Sequence, residues 1–248
     1  MYKEKGLLAN QTKGGEGMDA IYEGTLQSNG QAFYVRRLTL NDLDKLMFLQ
    51  EKVIGSLEDK SVLQPLSREE FRYILEGNGL LVGAFTDTDF IAFRALLVPP
   101  IDEEHLGWDI GLTREELASV IYQEISNVHS DYRGNGLQKQ LAFLIMEELK
   151  KIDQAYKYVC CTVAPFNMPS LKDKFAQGME IAALKDKYDG MLRYIFVKKL
   201  AENQPRAYEH VQALKMEDIS GQQALLEKGW RGFRMYEQEG VPVVDYGK

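Results

Sequence analysis

Residues 128–138 read Val-His-Ser-Asp-Tyr-Arg-Gly-Asn-Gly-Leu-Gln. Residues 121–128 before the glycines have the β-branched, alternating character of a strand. After them Leu137, Leu141, Ile145, Met146 and Leu149 follow helical spacing. A strand turning through Arg133-Gly134-Asn135-Gly136 into a helix leaves the first-turn N–H groups without helical partners. Glycine leaves no side chain between those donors and a ligand, and the helix dipole favours negative charge. A pyrophosphate is the natural guest. Taken alone, the pattern serves equally a helix-opening turn that merely uses glycines. Lys139 is out of frame for a Walker loop and stands where a dinucleotide-binding loop needs its third glycine, which sets both of those aside.

Few side chains nearby can move a proton. Glu124 lies four residues before Val128, and strict strand alternation puts both on one face. It reads as a general base or as an ordinary solvated glutamate. His129 titrates near neutral pH but alternates to the opposite face. Tyr188 precedes the hairpin signal Asp189-Gly190 and is a candidate acid or a packing residue. Cys160 and Cys161 are adjacent, so in a strand they point to opposite faces and do not suit a disulfide. His105, His129 and His210 form no zinc pattern, and no metal is expected.

Around these residues the sequence predicts strands at 33–38, 80–85, 90–98, 121–128, 158–163, 179–187 and 191–198. Helices are predicted from Asn41, from the capping box Ser67-Arg68-Glu69-Glu70, at 137–149 and at 169–177, with a short one at 113–117. The order is β-α-α-β-β-loop-β-α-β-α-β-β, an α/β (α+β) arrangement with mostly antiparallel pairing. Loops 55–66 and 99–115 are expected to shape an acceptor pocket, the latter through Glu103, Glu104, Trp108 and Asp109 if these are more than surface residues.

Three segments follow. Residues 1–31 read as a poorly ordered leader. Lys13-Gly14-Gly15-Glu16-Gly17 precedes Met18, and such codons can spell a ribosome-binding site, so Met18 is expected as the native start. Residues 32–200 form the main domain. Residues 201–248 form an appendage with a helix at 216–228 and strands at 232–236 and 241–246, suited to homodimerisation by strand addition.

The 248 residues are 45% hydrophobic and 27% charged, enough for a packed core without staples. A net charge of -7 and short basic runs argue against nucleic-acid or anionic-membrane binding. Nothing resembles a signal peptide or membrane span, and two strand thiols suit a reducing cytoplasm.

Taken together the motifs resemble the GNAT acetyltransferases over residues 33–200. The family's cofactor motif is Arg/Gln-x-x-Gly-x-Gly/Ala, usually after Val-x-Pro-x-Tyr. Here Val128, Tyr132, Arg133, Gly134, Asn135, Gly136, Leu137 and Gln138 follow it, with Ser130 for the proline and Gln138 for the last small residue. Asn167-Met168-Pro169-Ser170 matches the Asn-x-x-Ser/Ala that opens the next helix, and Gly178 closes it. The resemblance implies a GNAT acyl-CoA N-acyltransferase fold with a mixed, mostly antiparallel sheet. It implies acetyl-CoA as co-substrate and direct transfer of its acetyl group to a primary amine of a small molecule or peptide. Val128 would meet the pantetheine arm by its backbone, and Arg133 to Gln138 the pyrophosphate. Asn167 and Ser170 would lie near the cofactor, Asn167 serving equally as a helix cap. The family's tyrosine acid falls at Lys174, so Tyr188 becomes its substitute and Glu124 the base. A non-catalytic acyl-CoA-binding module is the alternative.

Overall fold

A computed structural model describes residues 20–58, 63–152, 156–188, 190–201 and 206–248. Met18, the segment before it and Asp189 lie outside the described residues.

Among the described residues eleven strands form one sheet: β1 Tyr22–Thr25, β2 Ala32–Arg37, β3 Gly79–Phe85, β4 Phe90–Leu97, β5 Val120–Val128, β6 Tyr158–Val163, β7 Glu180–Lys187, β8 Met191–Lys199, β9 Val211–Lys215, β10 Arg231–Gln238 and β11 Val241–Gly247. Their order across it is β1-β2-β3-β4-β5-β6-β8-β7-β10-β11-β9. Neighbours pair antiparallel except β5 and β6, which run parallel.

Helices cover both faces. On one, α1 (Leu43–Gly55) and α2 (Arg68–Leu75) bury Leu46, Leu49, Phe71 and Ile74 against Leu81, Phe93 and Ile125. On the other, α4 (Leu137–Leu149), α5 (Met168–Ala176) and α6 (Ile219–Glu227) bury Leu141, Ile145, Leu171 and Leu226 against Val82, Ile121, Val159 and Phe196. Cys161 belongs to this second core and Cys160 to a separate cluster with Leu106 and Ile195, as alternation along a strand requires.

Local chemistry sets the helix starts. The Ser67 capping box forms: Glu70 N–H donates to Ser67 Oγ at 3.2 Å, and Ser67 N–H to Glu70 Oε2 at 2.7 Å. Asn41 is not the cap of the first helix. It lies in a 3-10 turn, Leu40–Asp42, that opens on a capping box between Thr39 and Asp42. Asp42 is buried and takes both ends of the Arg36 guanidinium, at 2.6 and 2.8 Å. A charged pair needing burial outweighs the asparagine's local preference.

Three further differences from the sequence reading have physical causes. Tyr22–Thr25 is a strand inside the stretch expected to lack regular structure; it runs antiparallel along Ala32–Val35 and buries Leu26. The short helix expected at 113–117 is a turn running into a 3-10 turn, Leu117–Ser119, and a short α-helix stands earlier, α3 (Leu106–Asp109), where His105 Nδ1 accepts the Gly107 N–H at 3.0 Å. Residues beyond 200 include the extra strand β9, and β10 joins the main sheet where Gly232 faces Ile181. A Cβ on Gly232 would lie 3.0 Å from the Ile181 side chain, so glycine permits the join. Among the described residues no helix is long and apolar enough to cross a membrane.

Candidate active site

Strands β5 and β6 pair over Val120, Ile121 and Tyr122, opposite Tyr158, Val159 and Cys160, and then part. Beyond that point β5 still follows β4 to Val128. The His129 N–H donates to Ile91 C=O at 2.9 Å, which makes Ala92 and Val128 a non-hydrogen-bonded antiparallel pair. The Val128 N–H and C=O therefore face away from β4, into the gap. A cavity of about 990 Å³ fills the gap and is lined from both faces of the sheet.

At the end of β5 the 3-10 turn Ser130–Tyr132 leads into the glycine loop. Gly134 and Gly136 have φ of +80° and +72°, a region that costs side-chain-bearing residues about 1–2 kcal/mol. Gly136 caps α4, and the first helical bond into it comes from Gln140 N–H to Gly136 C=O at 3.0 Å. The N–H groups of Leu137, Gln138 and Lys139 precede that bond and have no helical acceptor. A Cβ at Gly134 would meet nothing within 4 Å, so the space an anion needs is open.

Within this loop only part of the expected side-chain set faces the cavity. Asn135 is buried and turned inward: its Oδ1 accepts the Ser28 N–H at 2.8 Å and its Nδ2 donates to Tyr132 C=O at 3.0 Å. It fastens the loop to the β1–β2 turn. Leu137 is a core residue. Arg133 Nη2 donates to Ser56 Oγ at 2.9 Å, at the end of α1. Asn167 caps α5, accepting the Ser170 N–H at 3.3 Å, and both residues also line the cavity. His129 opens the 3-10 turn, its Nδ1 accepting the Asp131 N–H at 3.3 Å.

Alternation fails at Glu124. The β4–β5 register shifts between Arg94 and Leu96, whose partners are Ser126 and Gln123. That is a β-bulge at residues 124–125. Gln123 and Val128 are five residues apart yet lie on the same face: Gln123 bonds to α5, and Val128 packs on the core beneath α4. Glu124 therefore does not share a face with Val128. It stands with Ile125 on the α1–α2 face, near Glu70. Across the gap, on that same face, the Tyr188 hydroxyl lies 3.1 Å from Thr162 Oγ1. The bulge thus brings the two expected proton carriers to one cavity. Its walls there include Leu57, Leu63 and Leu66 from the α1–α2 connection, held by Gln50, whose side chain bonds both backbone groups of Leu66. Asp109 and Glu104 of the other loop are engaged by Lys185 and Lys187, at 2.9–3.3 Å.

No family model matches the sequence, and no curated protein matches it significantly. Solved structures do match. The ribosomal-protein-S18-alanine N-acetyltransferase of Escherichia coli is similar over 71% of this chain and 99% of its own, with a TM-score of 0.51 and 15% identity. Arabidopsis thaliana NAA60, solved in complex with acetyl-CoA, matches over 68% and 99%, with a TM-score of 0.53 and 16% identity. The GNAT domain of S. lividans PAT matches over 71% and 96%, with a TM-score of 0.50 and 19% identity. The fold is the GNAT fold.

Within this GNAT fold Glu124 and Tyr188 have distinct electrostatics. Glu124 is half-buried, and no hydrogen bond or ion pair reaches it among the described residues. Burial, reinforced by the Glu70 charge, pushes its carboxyl up to about 7. Tyr188 has its pKa raised by burial and stays protonated at neutral pH. Its φ of +50° is unusual for a tyrosine.

The sequence reading missed the polar cluster at the branch point of the GNAT sheet. Arg94, fully buried in β4, donates through Nη2 to Gln123 Oε1 at 2.7 Å and Asp173 Oδ2 at 3.1 Å. Lys174 Nζ donates to the same Gln123 oxygen at 2.7 Å and lies 3.3 Å from Asp173 Oδ2. Gln177 closes the ring, taking the Gln123 amide and giving its own to Asp173. One signal was present: Arg94 is the sole charged residue in Phe-Ile-Ala-Phe-Arg-Ala-Leu-Leu-Val, and buried charges are paired.

Proposed function

We propose that the protein is an acetyl-CoA-dependent N-acetyltransferase that moves the acetyl group directly to a primary amine. The observation that carries this reading is one cavity that joins an unpaired strand edge and a glycine-lined N–H cradle to an uncompensated carboxylate tuned to about 7. The cradle residues suit a pyrophosphate by their open space and free donors. The Val128 backbone suits an amide-bearing arm lying in the gap. The roles of Asn135 and Leu137 are confined to backbone, and Asn167 and Ser170 form the opposite rim. The acetyl-CoA bound in the NAA60 structure supports the same use of the fold.

When bound, acetyl-CoA supplies an activated acetyl group. Glu124 takes the proton that the amine must lose, and a base with a pKa near the working pH is best placed for this. Backbone donors along β5 polarise the carbonyl. Tyr188 offers a hydroxyl on the acceptor face. The two carboxylates there favour a cationic acceptor, and the leucine wall favours one with an apolar neighbourhood around its amine. The buried thiols Cys160 and Cys161, both pushed up by burial, take no part. We assign the transferase to residues 32–200, with residues 201–248 extending its sheet.

A thermal-shift titration with acetyl-CoA, followed by thiol release with a panel of amines and peptides, tests this. Stabilisation plus thiol release is the expected result. Stabilisation without release from any amine would leave a non-catalytic acyl-CoA-binding module, and absence of stabilisation would remove the cofactor assignment.

A further inference from the structure

Lys174 is buried at the point where β5 and β6 part, yet it lines the cavity. An ammonium group has three hydrogens. Gln123 Oε1 and Asp173 Oδ2 account for two, which leaves the third for the cavity. Arg94 shares both of those partners, so the cluster holds two cations against one carboxylate, an excess positive charge facing the gap.

Position fixes what that charge meets. Gln123 is the first residue past the last β5–β6 pair, and Glu124 follows it on the other face. If Glu124 takes the amine's proton, the attacked acetyl carbon lies beside residues 123–124, and the bond that breaks lies beside Lys174. Both Lys174 and Glu124 line the cavity that fills this gap.

We propose that Lys174, oriented by Gln123 and Asp173, meets the sulfur that departs from the acetyl group and gives it a proton. The inference rests on the acetyltransferase reading above. As the amine nitrogen bonds to the acetyl carbon, the C–S bond breaks with its electron pair on sulfur. The amine's surplus proton passes to Glu124, Lys174 Nζ supplies the sulfur's proton, and Lys174 regains one from water. Tyr188, bonded to Thr162 on the acceptor face, is left to the amine side. Burial and then Arg94 lower the Lys174 pKa, while Cys161 and Asp173 oppose them, a direction that makes it a better proton donor. Lys198 on β8 is occupied by the Gln177 carbonyl at 2.7 Å.

The test needs no acceptor. The thiol of CoA bound to the whole protein is titrated by thiolate absorbance, with the protein alone subtracted; Cys160 and Cys161, their pKa values raised, contribute a flat background. In the parent the bound thiol should titrate at least about one unit below free CoA, a tenfold or greater preference for the thiolate. Lys174→Met should abolish the shift, with Lys174→Gln as a second neutral variant if the first does not fold. Lys174→Arg should keep the shift, because charge remains, yet lower turnover about 100-fold once an acceptor is found, because arginine does not release its proton. An unchanged thiol titration in the neutral variants would overturn the role of Lys174 while leaving acetyl-CoA binding intact. A parent that binds no CoA would overturn both this role and the acetyltransferase reading.

Discussion

On the α4–α5 face of β5 the charges are tied to one another: Arg94, Asp173 and Lys174 share partners at 2.7–3.3 Å. On the α1–α2 face, one residue along the strand, Glu124 has no hydrogen-bond or ion-pair partner among the described residues, and the charge that acts on it is the like charge of Glu70. The cluster is buried and Glu124 half-buried, but the sharper contrast is in partners. A buried cluster of paired charges fixes geometry, because removing one partner leaves another uncompensated. A shielded carboxylate without a partner destabilises the fold whenever it is ionised, which is the state a proton acceptor needs. The bulge at residues 124–125 lets neighbouring residues on one strand serve these two ends.

The largest effect should come from the unpaired side. Glu124→Gln should leave acetyl-CoA affinity unchanged and lower turnover by roughly 10²- to 10⁴-fold, the usual range for loss of a general base. The parent's rate should fall below about pH 7, where Glu124 takes a proton, and a pH–rate profile of the variant should lack that limb. An unaltered profile would make Glu124 a bystander.

The paired side should respond in stability instead. Arg94→Met should lower unfolding free energy in urea by about 3 kcal/mol, near the low end for breaking a buried pair because Lys174 stays beside Asp173. A loss under about 1 kcal/mol would mean that the cluster is not a scaffold.

Gly136→Asp should weaken acetyl-CoA binding about 100-fold, since strain at positive φ and a carboxylate in the anion's place add, and each 1.4 kcal/mol is tenfold. Circular dichroism should show a folded variant.

A smaller effect follows from linkage. The folded pKa of Glu124 is raised, so its contribution to stability is intact below the unfolded carboxylate range and is lost as pH rises through about 7. Glu124→Gln should therefore melt higher than the parent at pH 9 by a few degrees and no higher at pH 4. Equal differences at both pH values would contradict the shifted pKa. Smallest of all, Gln138→Gly should change acetyl-CoA affinity by no more than about twofold, because only its backbone N–H serves the cradle; a large loss would reveal a side-chain contact.

Which parts of this were legible in the sequence follows from how local their causes are. The glycine loop was, because positive φ at 134 and 136 demands glycine and the helix after it carries its own period. The Ser67 box and the alternation of Cys160 and Cys161 are equally local. The bulge was not: Gln-Glu-Ile-Ser carries no mark of an extra residue, which only pairing with β4 exposes. Strict alternation consequently placed Glu124 on Val128's face, which the bulge overturns. The short strand Tyr22–Thr25 and the exposed edge strand Val211–Lys215 lack apolar alternation, and their partners make them strands. The Asn135 side chain points at Ser28, 107 positions away, a contact no motif encodes.

The central claim is that the gap between β5 and β6 receives acetyl-CoA with its pyrophosphate on the Gly134–Gly136 cradle. Isothermal calorimetry of the full chain with acetyl-CoA, repeated with Gly136→Asp, tests it most directly. Saturable one-to-one binding in the parent, displaced by CoA and weakened about 100-fold in the variant, is the predicted result. No binding in the parent, or equal affinity in a folded variant, would contradict it.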